Sequence, residues 1–111
     1  MRPINQITFH DNVSAAAEGE ILQTMQGDSL VIAVSGTFTG LTLKVQGQQY
    51  HGGDWYDISV IELSQFEVQQ YITAPGAYMA VGVSGFQVIR ANLTAITTGS
   101  ATVTGRLSAD G

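Results

Sequence analysis

The stretch from Ala77 to Ser108, AYMAVGVSGFQVIRANLTAITTGSATVTGRLS, carries the clearest strand signal of the chain. It holds three apolar-rich runs, Ala77–Val83, Phe86–Leu93 and Ala101–Ser108, divided by Ser84-Gly85 and Gly99-Ser100. Runs of this kind, broken only by short Gly/Ser turns, predict three consecutive antiparallel strands.

The same pattern recurs upstream. In Ser29–Ser35, Leu30, Ile32 and Val34 alternate with Val31, Ala33 and Ser35, so both faces are largely apolar, as in a strand buried between layers. Leu41, Leu43 and Val45 alternate with Thr42, Lys44 and Gln46, which predicts a strand with one wet face. Trp55–Leu63 and Phe66–Thr73 are two further strand candidates, followed by a turn at Ala74-Pro75-Gly76. Ile4–His10 alternates more weakly, Asp11-Asn12 marks a turn, and Met1-Arg2-Pro3 belongs to a loose arm over about residues 1–5.

Val13 to Gln26 stays open between two structures. Asn12 can cap a helix through Ala15-Ala16-Ala17-Glu18, and alanine is the best helix former. Gly19 opposes the helix by about 1 kcal/mol relative to alanine. Two short strands, Ser14–Ala17 and Glu20–Met25, agree better with the rest of the chain. The total is roughly eight or nine strands at spacings of about 8–12 residues, with no long helical stretch for a parallel crossover. That pattern predicts an all-β, antiparallel β-sandwich with Ile32, Val34, Leu43, Val45, Ile58, Val60, Val81, Ile89, Val103 and Leu107 in or near the core.

A chain of 111 residues is one domain, here residues 1–111, and can hold a core without metals or disulfides. Charged residues make up 12%, well under the ~25% of ordinary globular domains. The net charge is −5, and the four basic residues, Arg2, Lys44, Arg90 and Arg106, are dispersed. Binding to nucleic acid needs several cations tracking phosphates, so that partner is set aside, and an anionic membrane surface with it. There is no cysteine, which excludes disulfides and thiolate metal sites. The first residues carry no apolar signal core and no run reaches the ~20 apolar residues of a span, so the chain is expected to be made and folded in a cytoplasm.

Chemistry-bearing residues do not assemble by spacing. His10 and His51 form no HxH, HxxxH or HExxH pattern. Asp54 and Asp57, three apart on an extended chain, point to opposite faces and make no glycosidase pair. Ser35 and Ser84 lie near glycines but outside any GxSxG, and the glycines lack a strand-loop-helix setting for phosphate. No catalytic, cofactor-binding or metal-binding residue is therefore expected, and no enzyme activity. The most informative cluster is Tyr50, Trp55 and Tyr56 beside Gln48, Gln49 and Asp54. Such aromatics stack on sugar rings or anchor protein interfaces; alternatively Trp55 simply packs under the adjoining loop.

Two passages also resemble a known family. One runs from Ser35-Gly36-Thr37-Phe38-Thr39-Gly40 through Leu41-Thr42-Leu43 to Gly53-Asp54-Trp55-Tyr56. The other is Gly76-Ala77-Tyr78, then Val83-Ser84-Gly85-Phe86-Gln87-Val88-Ile89-Arg90, then Thr98-Gly99-Ser100-Ala101-Thr102-Val103-Thr104. This order resembles the small β-sandwich domains of tailed-phage structural proteins, and as a stand-alone chain the capsid decoration (staple or cement) proteins of short-tailed phages. The resemblance implies a jelly-roll-like fold, no enzyme activity and no cofactor. It implies a place on the outer surface of the virion capsid, clamping the major capsid protein, as a homodimer or alternatively a trimer. Arg2 and Pro3 of the arm, with Tyr50, Trp55 and Tyr56, are then the candidate contacts. The rivals are a carbohydrate-binding module of a head or tail fibre, with a glycan as ligand, and a tail or baseplate subunit.

Overall fold

A computed structural model describes residues 2–24, 29–50 and 52–109, with the backbone alone for residues 2–5, 84 and 109. Among them lie ten strands: β1 (Arg2–Val13), β2 (Ile21–Gln23), β3 (Ser29–Thr39), β4 (Thr42–Gln48), β5 (Trp55–Asp57), β6 (Val60–Glu62), β7 (Glu67–Gln69), β8 (Gly76–Ala80), β9 (Val88–Ala95) and β10 (Thr98–Ala109). They form two sheets, a six-stranded one in the order β1-β10-β3-β8-β6-β7 and a four-stranded one in the order β2-β9-β4-β5. Every pairing among the described strands is antiparallel. With β6 and β7 set aside, the pairs nest as β1 with β10, β2 with β9, β3 with β8 and β4 with β5. A ribbon nested this way and wound over two sheets is a jelly roll, so the fold class read from the sequence stands.

Both sheets bury one face. Leu30, Ile32, Val34, Tyr78, Val103 and Leu107 from the larger sheet meet Leu22, Leu43, Val45, Ile89, Ala91 and Leu93 from the smaller one. Each set alternates along its strand, as the pleat requires. The sides of the sandwich are stitched by backbone and side chain. Ile72 and Leu43 exchange two hydrogen bonds of 2.9 Å, Ala17 and Leu93 do the same, and the buried His10 Nε2 lies 2.6 Å from the Ala91 carbonyl oxygen. His10 is thus a structural tie between β1 and β9; His51 lies outside the described residues.

Several boundaries differ from the sequence expectation, each for a physical reason. The run Trp55–Leu63 is two strands in two sheets. Ile58 still donates to Val45 of the smaller sheet at 2.7 Å, and Ser59 already accepts from Val81 of the larger side at 3.0 Å, so the chain turns its corner between them. Of Phe66–Thr73 only Glu67–Gln69 is strand, because Phe66 sits at φ 54° and Ile72 leaves to bridge Leu43. The arm is corrected as well: β1 begins at Arg2, with Arg2 opposite Ala109 and Pro3 opposite Ser108. Asp11-Asn12 is no turn but a bulge within β1, with Asn12 at φ 52° and its side chain held by the Ser100 hydroxyl at 2.7 Å. Of Val13–Gln26 the described part holds no helix, only the end of β1 at Val13, the Ala17 bridge and β2; Met25 and Gln26 lie outside the described residues. Val81 is 46% exposed rather than core. Gly82, at φ 77°, breaks the alternation and turns Val83 inward in its place.

The difference that bears most on function is in β3. Its Leu30, Ile32 and Val34 are buried, but Val31 is half-buried and Ala33 exposed. The strand is apolar on both faces, and only one of them is covered.

Candidate binding faces

On the outer face of the smaller sheet, register places two rows side by side. One runs Ile21, Arg90, Gln46, Asp57 and the other Gln23, Val88, Gln48, Trp55. Hydrogen bonds fix the first row. Arg90 Nε donates to Gln46 Oε1 at 2.9 Å, Asn92 Nδ2 donates to the same oxygen at 3.3 Å, and Gln46 Nε2 donates to Asp57 Oδ1 at 2.9 Å. Arg90 Nη1 reaches Glu18 Oε2 at 2.9 Å, and the Glu18 side chain is 73% exposed. The Arg90 guanidinium lies over the Trp55 ring, 4.1 Å from its centroid. An arginine held at both ends thus clamps the indole, an arrangement that needs its planar fork rather than charge alone.

Beside this stack lies an open groove of about 440 Å³ lined by Ile21, Gln23, Gln48, Gly52, Trp55, Val88 and Arg90. Its floor at Gln48 is locked, since Gln48 Nε2 donates to the Gly53 carbonyl at 2.6 Å and so pins the loop after β4. The Tyr50 ring packs over Gly53, where a Cβ would come within 2.9 Å of it.

The sequence-predicted aromatics therefore separate. Trp55 is half-buried in the groove. Tyr56 lies opposite Gly47, on the other side of the sheet, and is exposed at its edge. Tyr50 is exposed on the loop. Arg2 and Pro3 pair by their backbones at the end of β1; their side chains lie outside the described residues. Arg90, which composition shows only as one of four dispersed basic residues, organises the groove.

The outer face of the larger sheet carries a row six strands wide: Gln6, Arg106, Val31, Met79, Ile61, Val68. At the strand spacing of ~4.8 Å this row spans about 24 Å. Its β1/β10 end carries Gln6 and Arg106, and a depression of about 380 Å³ there is lined by Gln6, Thr8, Thr104 and Arg106 together with Ile7, Val31, Ala33 and Gly105. Its β6/β7 end is apolar, where Val68 is 66% and the neighbouring Phe66 79% exposed. Just under this end, the Glu62 carboxylate accepts from the Ser64 hydroxyl and from the backbone of Ser64 and Gln65, which holds its pKa below the usual value. Burial, and then the nearby Glu62 charge, push the Tyr78 phenol up; its hydroxyl donates to the Ala74 carbonyl at 2.7 Å. Among the described residues no group of three or more His, Asp or Glu is placed to hold a metal ion. No helix there is long and apolar enough to cross a membrane.

Fold and faces together define a small jelly-roll module with two built surfaces, a polar-aromatic groove on one sheet and an open apolar row on the other. The chain belongs to the XepA family, whose model matches residues 3–107. Two solved structures, both from Bacillus prophages, share the fold. The SPBc2 prophage-derived protein YomS is 20% identical with a TM-score of 0.85, over 96% of this chain and 95% of YomS. The PBSX exported protein XepA is 23% identical with a TM-score of 0.84 over 93% of this chain, which spans only 37% of XepA. No curated protein sequence matches the chain. Family and fold together make this a β-sandwich protein of the XepA family.

Proposed function

We propose that the chain is a non-enzymatic structural protein of the phage particle, a decoration protein that sits on the outside of the capsid and clamps neighbouring subunits. The observation that carries this reading is the apolar half of the larger sheet's outer face, with Val31, Met79 and Ile61 half-buried and Val68 exposed in one row. From strand spacing, that half-row and its flanks offer about 200–300 Å². A stable stand-alone interface needs ~800 Å² per partner, so one such contact is weak by itself. On a shell that repeats the same subunit many times, weak contacts from linked copies add by avidity. The free edge of β7 is the natural place for a second copy to pair, which gives a homodimer with two grips; a trimer is the alternative assembly. The description of XepA as an exported protein supports a position outside the host cell, which the surface of a released particle satisfies.

The test uses parent particles prepared without the chain. Purified protein added back is expected to co-sediment with them and saturate at a fixed ratio to the major capsid protein. Failure to bind such shells, with the protein folded, contradicts the proposal.

A further inference from the structure

The groove on the smaller sheet faces away from the apolar row and is not used by the capsid contact. We propose that it binds a neutral saccharide, with the half-buried Trp55 against a sugar ring, the exposed Gln23 toward its hydroxyls, and the buried Val88 and Gln48 as the floor beneath. A pyranose ring has C–H faces and a hydroxyl rim, so it needs an apolar wall beside planar amides. Three register-matched strand pairings supply that combination, because Gln23, Val88, Gln48 and Trp55 stand in one row across four strands. The volume of about 440 Å³ falls within the ~300–1,000 Å³ of ordinary small-molecule sites.

Two further features narrow the ligand. Arg90 is matched by Glu18 at 2.9 Å and by the Gln46 amide, so it offers no free cation to an anionic sugar or phosphate. The chain as a whole is at −5, which repels polyanions further. The site is also stiff before any ligand arrives. Trp55 is clamped by Arg90 at 4.1 Å, and Gln48 is tied to Gly53 at 2.6 Å, so little ordering is left for binding to impose.

Trp55 is the single tryptophan of the chain, and its emission therefore reports the groove directly. The probes are neutral oligomers of glucose, N-acetylglucosamine and mannose, with heparin as the polyanionic control. At least one neutral oligomer is expected to shift or quench the emission saturably, in the micromolar to millimolar range. Heparin is expected to have no effect. Gln23→Arg, at an exposed position that fills the groove, is expected to weaken binding at least tenfold with unchanged circular dichroism; by calorimetry, Trp55→Ala is expected to abolish it. No response to any neutral oligomer overturns the proposal. So does response to heparin alone, or undiminished binding by Gln23→Arg. An emission shift that depends only on protein concentration overturns it in favour of contact between copies. The outcome is separable from the capsid reading, because Gln23→Arg leaves the other sheet intact and should still load onto shells.

Discussion

Replacing Arg90 by lysine separates the planar fork of this side chain from its charge. Arg90→Lys keeps the cation near Glu18 but loses the Nε–H bond to Gln46 and the guanidinium stack on Trp55. The lost hydrogen bond is worth about 0.5–1.5 kcal/mol and the stack about 0.5–1 kcal/mol. Their sum, reduced for the partial replacement by an ammonium, gives an expected cost of about 1–2 kcal/mol. Glu18→Gln removes only an ion pair whose carboxylate side is 73% exposed, which is worth at most ~0.5 kcal/mol after solvent screening. For a domain of this size, 1 kcal/mol corresponds to roughly 4–8 °C in Tm. Thermal unfolding followed by the single tryptophan is therefore expected to show Arg90→Lys lower by about 4–16 °C and Glu18→Gln by less than ~4 °C. The lysine variant should also change the native emission, since its indole has lost its cover. If Arg90→Lys unfolds like the parent while Glu18→Gln is the costly change, the ion pair holds the platform and the stacking argument is wrong.

Three other changes probe other parts of the molecule. Ile72→Ala, which empties a fully buried site at the stitch between Ile72 and Leu43, is expected to cost about 2–5 kcal/mol in urea unfolding. Tyr78 is an acid whose folded pKa is raised above the ordinary 10.0, so its contribution is full below that value and is lost as pH rises through the folded value. Alkaline titration of stability should accordingly show a decline above about pH 10 that Tyr78→Phe lacks, the variant being weaker at neutral pH through loss of the bond to Ala74. Val68→Asp, at an exposed site, should leave Tm within about 2 °C of the parent. It should weaken loading onto shells by about 10–100-fold, as measured by co-sedimentation, because burying a valine is worth roughly 1.5–3 kcal/mol.

Most of the architecture was legible as period-two alternation, because a half-buried strand must alternate. Leu43 and Val45 against Lys44 and Gln46, and Ile89, Ala91 and Leu93 against Arg90, Asn92 and Thr94, carry that signal plainly. It fails where the chain changes sheets. Ile58 and Val60 keep the alternation through the corner, so the sequence shows one strand where the backbone makes two. It fails again at Val81, where one left-handed glycine shifts the phase. The groove was half legible. Trp55 stood out by residue type, but its partner Arg90 lies on a strand two places away in the sheet, a relation that only register creates. The apolar outer row shows in the sequence at Val31 and Ala33, whose alternation with Leu30 and Ile32 reads as burial between layers. A strand apolar on both faces has either a second layer or an open face, and the sequence of β3 alone does not distinguish them.

A cryo-EM map of the parent phage particle, with copy number counted by mass spectrometry, sets the capsid proposal against a direct image. Jelly-roll density is expected on the outside of the shell, with the row Val31, Met79, Ile61, Val68 turned toward the capsid subunits and a fixed whole-number ratio to them. Particles that lack the chain altogether, with the protein recovered only free in the culture medium, would contradict it.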